Sequence, residues 1–489
     1  MTRRAYKSFP YNDFWGGLNL RDSSNQIEEK QSTICENFSF EWNRLITAKK
    51  IKEKWNLSAS WEIKSILKSG DDIYFTHWGK VYKNWVEVVI SSGTLPDKRG
   101  YLSVWWDLIF FTFDDWTEPP YYLDSGTLTS VAGVGEPRYN IIYNGKWVLG
   151  GYWNDNIYFS KTASPTNKAD IYDFSAYSAG NQSVGWDSRG IITWFKIGEN
   201  WLYVFKKNAS YYSNSENDTG LTFQFIFNKI TSNWAINQNA IEEVNQEIFY
   251  LDWVSRSVRR LWYEKDSTTL RDTAVSDEIE PIFKLLSDDL SASSLSYKYP
   301  NLKVMLRSPF AWEWVNDVCL SYNVDVKSWS TETKKTCSVA KGWFLWSVYE
   351  WIVYEDDENP ATEWVRIGKE LDLGFPVDYK RFWEVEVNGK MDSTLTAYFD
   401  IYIDWKIKET RTVNVEPNLS NTLGTTLMWT WILWAPQATS DTTDFKERFD
   451  IFYEWRNIKI GVRYGGIGYL EIDHYKIEAR LLKWHSIFL

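Results

Sequence analysis

Adjacent carboxylates are the side chains here whose types and spacing most suggest chemistry. Asp71-Asp72, Asp114-Asp115 and Asp288-Asp289 each bring two acids together. Two carboxyls flanking a glycosidic bond are the machinery of glycoside hydrolysis. Neighbouring residues on a strand point to opposite faces, however, and such pairs favour solvated turns, so these acids are expected to be turn residues and not catalysts. The histidines offer less. His77 falls in an expected hairpin turn, and His474 and His485 fall on C-terminal strands. None lies at metal-ligand spacing from a Cys or another His. Asn154-Asp155-Asn156 gathers oxygens but lacks a complete calcium-loop pattern. No GxSxG, HExxH, phosphate loop or dinucleotide fingerprint occurs. No catalytic, cofactor-binding or metal-binding residue is therefore assigned, no cofactor is expected, and the chain is expected not to be an enzyme.

The elements that would carry any site are strands. The most regular stretch is Tyr139–Lys161. Apolar residues alternate through Ile141–Tyr143, Asn144-Gly145 supplies a tight turn, and Trp147–Leu149 follows. A Gly-Gly break, the Asn154-Asp155-Asn156 turn and a last strand, Ile157–Ser160, complete it. The same strand–turn–strand unit recurs at Ile73–Val81, Leu108–Phe113 with Tyr121–Leu123, Leu202–Tyr212, Ile248–Leu261 and Val318–Trp329, with a further copy at Phe344–Tyr354. Early copies lie about 35 to 50 residues apart, the spacing of four-stranded propeller blades.

The chain has 489 residues, enough for two or three domains. Its formal charge of -11 argues against wrapping nucleic acid through phosphate neutralisation, while leaving room for a wall past which DNA slides. The opening MTRRAYKSFPYNDFW has no apolar h-region, and no run of 18 apolar residues occurs, so neither a signal peptide nor a membrane span is expected. Cys35, Cys319 and Cys337 form no ligand cluster and are expected to be reduced, partly buried thiols.

Thirty-one tryptophans are several times the ordinary number. Trp85, Trp201, Trp253, Trp405 and Trp455 each follow Asn, Asp or Glu just before or at a strand, where a hairpin commonly wants glycine. The expectation drawn from this is recoding: the gene uses a code in which UGA specifies glycine, and a table reading UGA as tryptophan produced this sequence. Trp147 and Trp329 lie inside apolar strand patterns and are expected to be genuine. The alternative is an aromatic-rich protein using Trp as surface or sugar-binding platforms.

Together these readings predict an all-β chain in three parts. Residues 1–36 form an extended N-terminal arm, with a helical turn over Gln26–Asn37. Residues 37–362 form a β-propeller of six to eight blades, seven favoured, with a short helical insertion near 277–295 whose apolar spacing is Ile279, Ile282, Phe283, Leu285 and Leu286. From 363 the strands lengthen. Phe382, Glu384 and Glu386 are expected on one face, Val385 and Val387 on the other, and Leu395, Ala397, Phe399, Ile401 and Ile403 on a second alternating face. Residues 363–489 are thus expected to form a β-sandwich.

Four stretches carry a resemblance. FWGGLNLRDSSNQIEEKQSTICENFSF at the arm, Ile230–Leu251 (ITSNWAINQNAIEEVNQEIFYL), Asn316–Ser330 (NDVCLSYNVDVKSWS) and Leu371–Val387 (LDLGFPVDYKRFWEVEV) resemble a family of tailed-bacteriophage virion proteins built around a propeller. These are tail nozzle, tail tubular or neck components. The resemblance implies a homo-oligomeric ring beneath the portal, forming a conduit for genome ejection. The implied partners are portal or adaptor and other tail proteins, with transient non-specific contact with passing DNA and no membrane insertion. The implied location is the virion tail or neck, after synthesis in the host cytoplasm, with the arm Thr2–Asn25 clamping a neighbouring subunit. The alternative functions are a propeller carbohydrate-binding protein or glycosidase, and a cellular propeller scaffold.

Overall fold

A computed structural model describes residues 7–11, 18–22, 26, 31–36, 38–41, 44–47, 49–56, 63–164, 166–175, 179–185, 190–198, 201–213, 216–218, 223–263, 270–291, 293–309, 316–332, 339–341, 344–347, 352–360, 363–368, 380–392, 396–403, 406–414, 442–455, 458–465 and 470–481. The described chain is all-β, and short antiparallel sheets follow one another along it. Sheet one comprises Ser65–Ser69, Asp72–His77, Lys80–Lys83 and Val86–Val88. Sheet two comprises Gly100–Trp105, Leu108–Phe113, Tyr121–Asp124 and Thr127–Ser130. Sheet three comprises Tyr139–Tyr143, Lys146–Gly150, Asn156–Phe159 and Gly180–Ser183. Sheet four comprises Ile192–Gly198, Trp201–Lys206, Ala209–Ser213 and Asn228–Thr231. Sheet five comprises Ile241–Val244, Glu247–Leu251, Val258–Tyr263 and Leu270–Ala274. Sheet six, Ser294–Lys298, Asn301–Leu306, Val318–Asn323 and Ser328–Glu332, is part of a nine-stranded sheet. Sheet seven joins Val339–Lys341, Phe344–Ser347 and Ile352–Pro360 to a strand from far upstream, Lys49–Asn56.

Burial shows how these sheets stack. All six residues of Leu108–Phe113 are buried, which alternation with one wet face would not produce. Leu108 and Phe110 pack with Trp147 and Leu149 of sheet three. Ile109, Phe111 and Phe113 point the other way, into a cluster with Tyr74 and Val81 of sheet one. Sheet three repeats the arrangement, because Val148 packs with Val204 and Phe205 of sheet four. The second strands of sheets one to six are buried along most of their length because their neighbours cover both faces. The first strands of sheets one to seven are neighbours in order, and the first strand of sheet seven again meets that of sheet one. The arrangement is propeller-like and closed. Lys49–Asn56 seals it by hydrogen bonding antiparallel to Ile352–Pro360, so chain ends distant in sequence share one sheet.

Two further sheets follow from the C-terminal region. Lys380–Asp392 lies between Thr442–Trp455 and Leu470–Leu481. Glu363–Gly368, Lys459–Gly465, Thr396–Ile403 and Lys406–Asn414 form the other, which Ser32–Glu36 links to sheet six. Residues of both enter one apolar cluster, among them Phe382, Val385 and Phe449 from the first and Phe399 and Val462 from the second. The Phe399 and Phe449 rings lie 5.7 Å apart.

Several details differ from the sequence reading. Ser32–Glu36 is a strand and not part of a helical turn, held by neighbours on both edges. Phe38–Glu41 and Arg44–Thr47, within the segment assigned to the propeller, form a hairpin whose second strand pairs with Leu470–Leu481. A register shift between Phe382 and Glu384 turns Phe382 into the core beside Val385 and Val387, breaking the expected alternation. The helical insertion is a 3-10 turn, Asp277–Ile279, leading into a short helix, Glu280–Lys284, with Pro281 in its first turn. Ile279, Phe283 and Leu286 are buried there, but Leu285 is exposed. The described parts of the arm dock on their own chain. Lys7–Tyr11 pairs with residues 475–479, and the backbone amides of Leu18 and Leu20 donate to the carbonyls of Trp329 and Glu278. Leu395 and residues 371–379 lie outside the described residues.

Candidate functional site

Hairpins between the second and third strands of successive sheets carry a line of tryptophans: Trp78, Trp116, Trp153 and Trp253 in sheets one, two, three and five. The densest group joins sheets two and three. The Trp116 and Trp153 rings stack at 4.1 Å and 22°. The Arg138 guanidinium lies 4.3 Å from the Trp116 ring centre, and the Trp116 indole N–H donates to the Gly151 carbonyl at 2.6 Å. Arg138 also pairs with Asp114. The stack engages one face of each indole within the protein, while Trp153 is otherwise largely exposed.

The paired acids are held by cations. The Lys83 ammonium lies 2.7 Å from Asp72 and holds its carboxyl below the usual range. Asp115 lies 2.8 Å from Lys98, which also meets Glu118 at 2.7 Å. Burial alone would push the Asp115 carboxyl up, but Lys98 and Thr117 outweigh it and bring it below its ordinary value. Asp288 meets Arg256 at 2.8 Å, and Asp289 meets Arg307 at 3.2 Å. For Asp289, burial is again opposed and outweighed by Ser291 and Arg307. A general acid for glycoside hydrolysis needs its carboxyl raised toward neutrality, and these three are lowered.

A cleft of 590 Å³ opens between the outer strands of sheets two and three, lined by Tyr122, Tyr158, Tyr172, Phe174 and Asn181. Tyr122 and Tyr172 stack on each other at 4.1 Å and 3°, so these two faces are engaged within the protein. In the ring interior, Lys196 of sheet four approaches Glu242 of sheet five at 3.9 Å. Lys68 of sheet one feels the same carboxylate: burial lowers its ammonium, while Asp71 and Glu242 act to raise it.

His77 is buried and stacks against Trp78 at 4.8 Å. His474 pairs through its backbone with Asn388, and His485 lies outside the described residues. Cys35 and Cys319 are buried and not disulfide-bonded, and Cys337 lies outside the described residues. In the Asn154-Asp155-Asn156 turn, Asn154 accepts the Asn156 amide, and Asp155 meets the buried Lys206 ammonium at 3.1 Å. Among the described residues no group of three or more His, Cys, Asp or Glu side chains could hold a metal ion, and no helix is long and apolar enough to cross a membrane. Sequence reasoning passed over Arg138, Lys206 and Lys68. Their partners lie on other strands or other sheets, so no local spacing marks them.

Comparison with known proteins gives likeness of structure only. No family model matches the chain, and no curated protein matches it. The chain is similar to the computationally designed Ika8 protein at 10% identity and a TM-score of 0.36, over 73% of this chain and 97% of that one. It is similar to the AfRom2 CNH domain at 8% identity and a TM-score of 0.35, over 63% and 96%. It is also similar to BamB from Moraxella catarrhalis at 10% identity and a TM-score of 0.33, over 68% and 92%. At these scores the likenesses carry nothing about activity or partners.

Proposed function

We propose that this chain is a structural subunit of a tailed-phage virion, a component of a tail nozzle or neck ring. In this reading the seven sheets are the blades of one propeller, and residues 363–489 contribute to a β-sandwich docked on it. The resemblance of the arm, Ile230–Leu251, Asn316–Ser330 and Leu371–Val387 supports it. The observation that carries a structural role over a catalytic one is closure. The first strands meet in an unbroken cycle, and an N-terminal strand seals the last sheet. Such a body is a rigid wall element with few free sheet edges. The genome conduit in this reading belongs to the centre of a ring of subunits, as the resemblance implies. The net charge of -11 would keep that wall from holding DNA. Portal or adaptor and neighbouring tail proteins are the proposed partners.

The test is immunogold labelling of purified particles from the natural source, with analytical ultracentrifugation of the purified chain. Label at the tail or neck, and a closed oligomer in solution or on addition of portal protein, are the expected results. Absence from particles together with a monomer in solution refutes the proposal. The stacked Trp116 and Trp153 favour a second reading, a glycan-binding propeller, which saturable binding on a glycan array would support.

A further inference from the structure

Twelve non-glycine residues among those described have positive φ; four are Asn, which tolerates the left-handed region, and four are Trp, which does not. The four are Trp78, Trp85, Trp106 and Trp116, with φ of 47°, 73°, 57° and 50°. Other hairpins in the same molecule carry glycine at the places of Trp85 and Trp106. Asn84-Trp85 forms a two-residue loop between paired Lys83 and Val86, with φ of 47° and 73°. Asn144-Gly145, between paired Tyr143 and Lys146, has φ of 47° and 70°. The two loops are the same turn, with Trp in the place of Gly. Trp106-Asp107 lies between paired Trp105 and Leu108 and is left-handed only at its first position, φ 57°. Gly70-Asp71, between paired Ser69 and Asp72, matches it, with Gly70 at φ 60°. Trp78 opens the loop completed by Gly79, with φ of 47° and 66°; the same first position holds Asn144 and Ser125 in the loops completed by Gly145 and Gly126, so a bulky indole is the outlier there.

We infer that the natural residue at positions 78, 85, 106 and 116 is glycine, so the codons rendered here as tryptophan at these sites specify glycine in the source. The inference is independent of the virion reading. Asn245-Gln246 shows that a polar side chain can be held in this turn, with φ of 50° and 71°. Ser125, Arg256 and Lys327 are also left-handed, with φ of 49°, 48° and 56°, but each of these residue types occurs there once, whereas four indoles form a class. The tryptophans that packing requires are separate. Trp147 and Trp329 are buried, and the Trp329 indole N–H donates to the Val275 carbonyl at 2.8 Å. Of the five positions expected from sequence, Trp85 alone is left-handed among the described residues. Trp201 opens a strand and stacks on Tyr212 at 4.9 Å. Trp253 is absent from the left-handed set, and in its turn Arg256 has the positive φ. Trp405 lies outside the described residues, and Trp455 ends a strand paired with Lys380. With glycine at 116, the stack on Trp153 and the cation contact with Arg138 vanish.

Two measurements decide it. The first is the nucleotide sequence of the gene: UGA at positions 78, 85, 106 and 116 with UGG at 147 and 329 is expected, and UGG at the four left-handed positions overturns the inference. The second is peptide mass spectrometry on the chain isolated by antibody from its natural source. Glycine residue masses at the four positions are expected, and tryptophan masses there overturn the inference whatever the codon.

Discussion

Trp106 allows the backbone argument to be tested without knowledge of the source. It is 65% exposed, and its ring meets Trp105 edge-on at 6.4 Å, so little packing is lost on truncation. A side chain in the left-handed region costs about 1–2 kcal/mol per residue. Glycine escapes that cost but loses about 0.5–1 kcal/mol more conformational freedom on folding than alanine. Trp106→Gly should therefore be more stable than Trp106→Ala by about 0.5–1 kcal/mol. The molecule contains its own ruler. Gly70 stands in the matching loop at φ 60°, and a Cβ there would meet nothing within 4 Å. Gly70→Ala thus measures the dihedral cost with no steric term, and the Gly-over-Ala difference at 106 should equal it within about 0.5 kcal/mol. Amide exchange of Gly100–Trp105 and Leu108–Phe113 for position 106, and of Ser65–Ser69 and Asp72–His77 for position 70, reads local opening free energy, which suits a chain too large for two-state unfolding. If Trp106→Ala is as protected as Trp106→Gly while Gly70→Ala loses protection, the reasoning fails.

Other expectations concern the C-terminal sheets and the closing strand. Asp400, fully buried, accepts from Arg463 on the next strand at 2.9 Å and from Thr410 at 2.6 Å, so Asp400→Asn should cost about 1.5–3 kcal/mol in amide protection of Thr396–Ile403. Glu386 is held down to about 2 by Lys446, with Asn388 and Arg448 opposing its burial. Because its folded value lies below the unfolded value of about 4.3, its contribution is complete above that pH and is lost as pH falls toward 2. Glu386→Gln should flatten the acid limb of a pH–stability profile in that window, and an unchanged limb would refute the assignment. Trp329→Phe removes the bond to Val275 and leaves a cavity, and should cost about 2–4 kcal/mol by denaturant titration. Deleting residues 1–56 bares the edge of Ile352–Pro360, and concentration-dependent self-association should appear by light scattering.

Much of the strand pattern was legible because its causes are local. Asn144-Gly145 fixes a hairpin from two residues, and alternating or fully apolar runs mark Tyr139–Tyr143, Leu108–Phe113 and Glu247–Leu251 as strands. The illegible parts depend on distant pairing. Nothing within Lys49–Asn56 says that its partner lies some three hundred residues on, and nothing in Phe38–Thr47 points to Leu470–Leu481. The reversal of Phe382 comes from a bulge set by strands on both sides, which no period of two can express.

The site shows the same division more sharply. Asp-Asp pairs are visible in sequence, but the cations that neutralise them are not: Arg138 is 24 residues from Asp114, and Arg256 is 32 from Asp288. The tryptophans carry the clearest lesson. Selecting those that follow an acid or Asn found Trp85 but also took in Trp201, which lies in a strand and needs no glycine. The preceding residue is a poor guide because left-handed geometry belongs to a place in a two-residue loop, and strand register decides which residue occupies that place. Trp106 shows it best. Preceded by another Trp and followed by Asp, it has no local mark of a glycine site. The pairing of Trp105 with Leu108 alone makes it the first loop residue, where only a side chain as small as hydrogen fits without strain.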